Sequence, residues 1–157
     1  MKKAFTLLEL LIVIAIIGLL AAIVMSSLGA ARNKTKSSAI KSNMDSIRKQ
    51  AELWYSNRGT YFLNKAMAPN STYGCADVYA FSSTMFGDPS ISKAITQIES
   101  LNGSNTLSCT IRELSNGNSS YAFYTVLPTG GNICIDNTNK FGTTGFYDNP
   151  LVGVGCN

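Results

Sequence analysis

A single carboxylate, Glu9, lies inside a long apolar run near the start of the chain. Leu10 to Ala31 then gives 22 residues without a charge. As a helix this stretch would be about 33 Å long, which is enough to cross a hydrocarbon core. An ionisable group in a membrane-spanning segment is costly and usually has a function. We therefore expect Glu9 to have a role on which the purpose of the chain depends.

The four cysteines are the second group of residues with specific chemistry. They all follow the apolar segment, at positions Cys75, Cys109, Cys134 and Cys156. An even number of cysteines on one side of a membrane segment predicts two disulfides in an oxidising compartment. Three connectivities are open. We favour Cys75–Cys109 and Cys134–Cys156, because pairing consecutive cysteines closes two modest loops.

Residue types that support catalysis or metal binding are scarce. The chain has no histidine, and no paired carboxylates at a workable spacing or nucleotide-binding loop. Asp136 and Asp148, with nearby asparagines, could suggest a calcium loop, but their spacing is not that of an EF-hand and such runs are usually turns. We therefore expect no enzyme activity, no cofactor and no metal.

The distribution of charge separates a basic helical segment from a nearly neutral remainder. Residues 30–56 carry six Lys or Arg side chains against Asp45 and Glu52, whereas residues 57–157 carry five basic and six acidic side chains. A nucleic-acid surface on the folded domain would need clustered positive charge. Nucleic acid is therefore an unlikely partner, and a membrane is an expected one.

Three interpretations of the N-terminus compete. A secretory signal fits Lys2 and Lys3, but its apolar core is normally 7–15 residues, shorter than this one. A plain membrane anchor fits the length, with the two lysines holding the N-terminus in the cytoplasm. Neither interpretation explains Glu9 or the small residue before Phe5. A third interpretation, based on the segment from Ala4 to Glu9, explains both.

The segment Ala4-Phe5-Thr6-Leu7-Leu8-Glu9, followed by a continuous apolar helix, resembles the N-terminus of a type IV pilin or of a type II secretion pseudopilin. The resemblance covers about the first 56 residues. It implies that a prepilin peptidase removes residues 1–4 by cutting between Ala4 and Phe5, and that Phe5 becomes an N-methylated N-terminus. Many members carry a proline late in the apolar helix, where this chain has Ser26, Ser27 and Gly29.

The resemblance also gives Glu9 a role in filament assembly. Cleavage frees an α-amino group on Phe5, and the Glu9 carboxylate can neutralise the amine of a neighbouring subunit when the helices pack together. In surroundings of low dielectric constant, this pairing offsets much of the cost of burying either charge. The alternative is that Glu9 only reaches out to the lipid head groups.

Beyond the membrane the helix pattern continues. A narrow apolar stripe recurs at spacings of three and four residues, formed by Ile40, Met44, Ile47, Ala51 and Trp54. The stripe could serve a coiled coil, but we expect it to pack on the protein's own sheet. The predicted organisation is a leader over residues 1–4, a membrane and filament-core helix over 5–31, its amphipathic continuation over 32–56, and a head over 57–157. Gly59 is suited to a left-handed cap at the end of the helix.

The head is expected to combine one short helix with a small antiparallel sheet, which gives an α+β fold shaped like a ladle. Asp88 and Pro89 predict a helix start, and Asn102-Gly103 predicts its end. From Leu107 the apolar period changes to two, which predicts three or four short strands separated by turns at Asn116-Gly117 and Pro128–Gly131. The tail from Phe141 is expected to be a loose loop unless a Cys134–Cys156 disulfide ties it down.

The sequence thus predicts a structural subunit of a type IV pilus-like filament used for adhesion, motility or DNA uptake. A pseudopilin of a type II secretion system is the first alternative, and a non-polymerising membrane-anchored binding domain is the second. The expected partners are further copies of the chain in a helical homopolymer, the prepilin peptidase and an inner-membrane assembly platform. The precursor is expected in a bacterial inner membrane with its N-terminus cytoplasmic, and the filament outside the cell or in the periplasm.

Overall fold

One long helix dominates the structure, a computed structural model that describes residues 6–61, 73–75, 84–104, 106–113, 119–138, 141–142, 146–149 and 153–156. This helix, α1 (Leu7–Arg58), has 52 residues and is therefore about 78 Å long. It ends two residues later than the sequence pattern suggests. Gly59 closes it in the predicted left-handed conformation, with φ of 70°, and its N–H donates to the Tyr55 carbonyl at 2.7 Å.

The first half of α1 exposes its apolar side chains all around the helix. Every large aliphatic side chain from Leu7 to Leu28 is exposed. By length and composition α1 could cross a membrane, a property that signal sequences share. The helix is continuous through residues 26–29, where the Ser27 hydroxyl donates to the Val24 carbonyl at 3.0 Å. This half therefore has no apolar partner within the described part of the chain.

The second half of α1 buries the predicted apolar stripe, from Ile40 to Trp54. Its main partner is a second helix, α2 (Pro89–Asn102). The predicted bounds of α2 are confirmed: the Asp88 side chain caps its first turn by accepting from the Ser90 N–H at 2.8 Å, and Gly103 follows its last residue. A short 3₁₀ turn, Met85–Gly87, leads into the cap and places Phe86 in the core.

An antiparallel sheet of five strands completes the head. Its strands lie in chain order, so that each pairs with its sequence neighbour. They are β1 (Tyr73–Gly74), β2 (Leu107–Glu113), β3 (Ser119–Val126), β4 (Asn132–Asp136) and β5 (Phe141–Gly142). The three longer strands confirm the predicted meander. The predicted turn at Asn116-Gly117 lies outside the described residues.

The turn between β3 and β4 is the predicted Pro128–Gly131 turn. The Leu127 N–H donates to the Gly131 carbonyl at 2.9 Å, and the Gly130 N–H donates to the Leu127 carbonyl at 2.9 Å. Gly130 and Gly131 have φ values of 85° and 77°, a region that residues with a Cβ rarely adopt. The Pro-Thr-Gly-Gly sequence therefore fixes where the two strands reverse.

One hydrophobic core joins both helices and the sheet. Phe123 contacts Phe86 edge to face, with ring centroids 5.4 Å apart, and Tyr121 packs on Phe123 at 5.7 Å. The predicted α+β fold, a long helix packed on a small antiparallel head, is confirmed. The structure differs from the prediction in one respect: the apolar stripe of α1 packs mainly against α2 and also against β4, so the sheet does not bury it alone.

The tail of the head is tied down by the Cys134–Cys156 disulfide, the condition under which the sequence predicts that it is not a loose loop. It also forms a hairpin that the sequence did not predict. Strand β6 (Phe146–Asn149) pairs antiparallel with β7 (Gly153–Cys156), and β7 lies against β3 and β4. Sequence periodicity missed this hairpin because glycines at 153 and 155 lower the strand propensity of β7. Contacts of Cys156 with the sheet hold the strand in place instead.

Candidate assembly site

Glu9 lies in the first turn of α1 and closes a capping box with Thr6. The Thr6 hydroxyl accepts from the Glu9 N–H at 3.3 Å, and Glu9 Oε2 accepts from the Thr6 N–H at 3.0 Å and from the Thr6 hydroxyl at 2.9 Å. These bonds satisfy N–H groups that every helix N-terminus leaves without an intrahelical partner. The carboxylate also lies at the positive end of the helix dipole, where a negative charge is favoured.

The capping box holds Glu9 in one orientation on an exposed apolar surface. Leu7, Leu8 and Leu10 are 81%, 69% and 61% exposed around it. Within the described residues, Oε1 of Glu9 accepts no hydrogen bond, so this oxygen remains available to an external donor. The predicted cleavage residues Ala4 and Phe5 lie outside the described part of the chain.

Thr6 is a site residue that the sequence reasoning missed. The pattern Thr6-Leu7-Leu8-Glu9 before an apolar run is the sequence signature of a capping box. The structure shows that Thr6 fixes the Glu9 side chain that the sequence singled out.

The head begins to contact α1 at Ser37. This side chain is 5% exposed, and its hydroxyl lies 3.0 Å from the Thr129 hydroxyl and accepts from the Thr129 N–H at 3.2 Å. Because Thr129 belongs to the turn between β3 and β4, the turn is anchored to the helix at this point. The exposed part of α1 therefore ends at Lys36, directly before the first buried residue.

Comparison with known proteins identifies the N-terminal segment. A family model described as the prokaryotic N-terminal methylation motif matches residues 1–25. The chain is also 39% identical over 64 residues to the type IV wide pilus major component PilA4 of Thermus thermophilus. These two matches support the resemblance of the chain to the type IV pilin and pseudopilin family.

The similarity of this chain to its relative is partial. The matched segment covers 41% of this chain, and the chain spans about half of the relative's length, 49%. No solved structure matches the chain.

Two disulfides tie the head together. They join Cys75 to Cys109 and Cys134 to Cys156, with Cα atoms 5.0 Å and 5.6 Å apart. This is the pairing favoured from the sequence. Cys75 directly follows β1 and is bonded to β2, while the second disulfide joins β4 to β7, so that each disulfide fastens a short terminal strand to the sheet.

Asp136 has a structural role in the head. It is fully buried. Its Oδ1 accepts from the Thr138 N–H and the Thr138 hydroxyl, both at 2.7 Å, and its Oδ2 accepts from the Cys156 N–H at 2.8 Å. Both carboxylate oxygens are thus used by the protein itself. The side chain of Asp148, its companion in the calcium hypothesis, lies outside the described residues.

A second carboxylate, Glu52, links α1 to the aromatic side of the core. Its Oε1 accepts from the Tyr61 hydroxyl at 3.2 Å and from the Tyr121 hydroxyl at 3.5 Å. Burial, reinforced by the nearby Glu52 charge, raises the pKa of Tyr61 and Tyr121 well above the usual tyrosine range. Both phenols therefore stay protonated in the folded head and can donate to Glu52.

Charge pairs at helical spacing lie on the outer face of α1. Asp45 bonds to Lys49 Nζ at 2.6 Å and to Arg48 Nη2 at 2.9 Å. The ammonium of Lys49, followed by the guanidinium of Arg48, lowers the pKa of Asp45. Asp45 therefore neutralises bases in the part of α1 that carries the head.

Proposed function

We propose that this chain is a structural subunit of a type IV pilus-like filament and that it polymerises through residues 5–31. The observation that carries the proposal is the exposed apolar surface from Leu7 to Leu28, with Glu9 oriented at its start by Thr6. An apolar helix of this length needs lipid or other apolar helices around it. The precursor would be surrounded by the lipid of a membrane, and the subunit in a filament would be surrounded by a bundle of identical apolar helices.

Processing by a prepilin peptidase between Ala4 and Phe5 supports this role chemically. The cut removes Lys2 and Lys3 together with Met1 and creates a positive amine at Phe5. That amine and the Glu9 carboxylate of a neighbouring subunit have complementary charges. Pairing them in a helix bundle lowers the cost of burying both. The free Oε1 of Glu9 is the acceptor that such an amine would meet.

A pilus is favoured over a secretion pseudopilus by the relative, which is named as a pilus component. The segment Arg58-Gly59-Thr60-Tyr61 follows the long helix as in many pseudopilins, but here it has a folding role. Arg58 stacks on the Trp54 ring with 3.8 Å from its guanidinium carbon to the ring centroid, Gly59 caps α1, and Tyr61 is buried. This segment therefore does not distinguish the two machines.

The partners that follow from the proposal are further copies of the chain, the prepilin peptidase and an inner-membrane assembly platform. The precursor would lie in the inner membrane with its N-terminus in the cytoplasm and its head outside. The disulfides of the head fit that placement, because they need an oxidising compartment. As a filament subunit the chain carries no catalytic role.

The test is the mature N-terminus. The full chain is co-expressed with a prepilin peptidase and its N-terminal peptide is measured by mass spectrometry. We expect a product that begins at Phe5 and carries an added methyl group. An Ala4→Leu variant, whose bulky side chain blocks the cut, is the control and should keep Met1. A wild-type product that begins near Ala31 would indicate a secreted domain, and an intact wild-type Met1 would indicate a plain anchor.

A further inference from the structure

Three basic side chains follow directly on the apolar half of α1. Arg32, Lys34 and Lys36, which we name the basic collar, are all exposed. Among the described residues none of them forms a salt bridge, whereas Arg48 and Lys49 are both paired with Asp45. No Asp or Glu occurs in the sequence between Glu9 and Asp45. The charge of the collar is therefore not compensated by its own helix.

The collar surrounds the helix and does not mark one face of it. An α-helix turns by about 100° per residue, so Lys34 points roughly opposite to Arg32, while Lys36 returns to within about 40° of Arg32. A groove on a protein partner would contact charges on a single face of the helix. A plane that crosses the helix axis contacts all three side chains at once, and a membrane surface is such a plane.

The collar also lies at the depth of a lipid head-group layer. Leu10 to Ala31 contains 22 uncharged residues, about 33 Å of helix, which a tilt of about 25° fits to a hydrocarbon core of about 30 Å. Arg32 then lies at the boundary of the core. From Arg32 to Lys36 the helix rises about 6 Å, close to the roughly 5–7 Å of one polar layer.

The head begins where that layer would end. Ser37, the next residue, is buried against Thr129. No linker separates the collar from the head, so the head cannot move away from the lipid surface without moving the collar. The position of the collar relative to the membrane is thus set by the rigid helix and not by a flexible segment.

We propose that the basic collar binds the phosphates of anionic phospholipids at the outer face of the membrane that holds the precursor. Arginine and lysine at this depth attract anionic head groups electrostatically. The proposal rests on the proposed function only in requiring a membrane-inserted precursor whose head lies outside. Its consequence is a precursor held at a fixed depth, which must exchange lipid phosphates for other neighbours when it enters a filament.

The test uses the full chain in vesicles with its single tryptophan moved to the membrane boundary, W54F/L28W, because Trp54 itself lies about 27 Å of helix beyond Lys36. Vesicles contain phosphatidylcholine and phosphatidylglycerol, with a trace of pyrene label on one lipid or the other. All proteins compared carry this donor, and energy transfer from the tryptophan at position 28 reports which lipid is enriched beside the collar. The variants are R32Q/K34Q/K36Q and a charge-matched control, K41Q/K49Q/K93Q, whose bases lie farther along the chain. Glutamine keeps a long side chain and a good helix propensity.

We expect wild-type protein and the control to prefer phosphatidylglycerol by roughly tenfold or more, since each base near the surface contributes about fivefold. The collar variant should lose most of that preference, and 1 M salt should suppress it in all proteins. Equal preference in the collar variant would overturn the proposal. An equal loss of preference in both triple variants would also overturn it, because it would indicate an effect of net charge alone. The absence of any preference in the wild type would overturn it as well, and is the result expected if the collar only contacts carboxylates of neighbouring subunits.

The N-terminal cleavage experiment separates this proposal from the proposed function. Lipid preference is measured on the uncleaved precursor and needs neither the peptidase nor a filament. A chain that shows collar-dependent preference but is never cut at Phe5 would remove the filament role and leave the collar in place. A chain that is cut and assembled but shows no lipid preference would remove the collar alone.

Discussion

The carboxylate of Asp136 accepts a 2.8 Å hydrogen bond from the backbone N–H of Cys156, the residue whose sulfur is bonded to Cys134. Strand β7 is thus fastened to β4 twice, by a covalent bond and by a buried charge-assisted hydrogen bond. Such bonds are stronger than those between neutral groups. Together they explain how a glycine-rich strand with little propensity of its own is held against the sheet.

Removing the Asp136 carboxylate should destabilise the head strongly. In Asp136→Ala the buried Cys156 N–H loses its acceptor, and an unsatisfied buried group costs roughly 1–3 kcal/mol, whereas the exposed Thr138 can bond water instead. We expect a loss of about 2 kcal/mol in the free energy of unfolding. The measurement is denaturant unfolding in detergent followed by Trp54 fluorescence.

The control for Asp136 is Asp45→Ala. Asp45 also bonds two partners, but it lies on the outer face of α1 and is solvent-screened. Surface pairs of this kind contribute less than about 1 kcal/mol. If both variants lose the same stability, the buried hydrogen bonds of Asp136 are not what holds the tail.

The two disulfides should have similar but distinguishable effects. Their sequence separations are 34 residues for Cys75–Cys109 and 22 for Cys134–Cys156, and loop-closure entropy assigns about 3 to 4 kcal/mol to each. Cys134→Ser with Cys156→Ser should also be coupled to Asp136→Ala, because both changes release β7. Cys75→Ser with Cys109→Ser should not be coupled to it. A double-mutant cycle on unfolding free energies checks this, and strict additivity in both cycles would contradict it.

Local sequence signals predicted the parts of the fold whose pattern repeats. The stripe from Ile40 to Trp54 and the start of α2 at Asp88-Pro89 follow from helical spacing and capping chemistry. The period-two pattern from Leu107 gave the three central strands. In each case the residues that form the element also carry the signal, so no knowledge of the tertiary structure was needed.

The elements that the sequence did not predict depend on contacts between distant residues. Strand β7 is held by Asp136 and Cys134, some twenty positions earlier, and neither contact leaves a periodic trace in the glycine-rich tail. The packing of α2 on α1 is of the same kind, because an amphipathic pattern does not specify which apolar surface it meets. Thr6 is a different case, because its role as an N-cap depends on a local pattern, Thr6 followed by Glu9 three residues later, that is present in the sequence itself.

Glu9→Gln should separate membrane insertion from assembly. The side chain keeps its size and can still cap the helix, but it no longer carries the charge that pairs with a neighbouring amine. We expect normal insertion and cleavage, with incorporation into filaments reduced roughly a hundredfold or more, as when one partner of a buried ion pair is removed. Sheared filaments are quantified by immunoblot against total protein. Asp45→Asn serves as the control, and normal filament yield from Glu9→Gln would contradict the ion pair.

Thr6→Val should weaken assembly without removing the Glu9 charge. Valine has nearly the shape of threonine but lacks the hydroxyl that bonds Glu9 Oε2 and accepts from the Glu9 N–H. An N-cap of this type typically contributes about fivefold to tenfold in equilibrium, so we expect a filament yield lowered by about that factor. Thr6→Ser restores the hydroxyl and should restore the yield. Equal yields for valine and serine would indicate that the capping box does not orient Glu9.

Alkaline pH should unfold the head through Tyr61 and Tyr121. Their folded pKa values are raised by burial and by the Glu52 charge, while an unfolded tyrosine titrates near 10. The free energy of unfolding therefore falls with rising pH. The stability that the two tyrosines contribute is fully present below about pH 10 and is lost above it, because only the unfolded chain releases these protons. Absorbance at 295 nm should therefore show at least two tyrosines, of the seven in the chain, ionising only together with the unfolding seen by circular dichroism. Tyr121→Phe should leave one such tyrosine and flatten the loss of stability above pH 10. Smooth ionisation of all tyrosines in a still-folded head would contradict the burial of these two phenols beside Glu52.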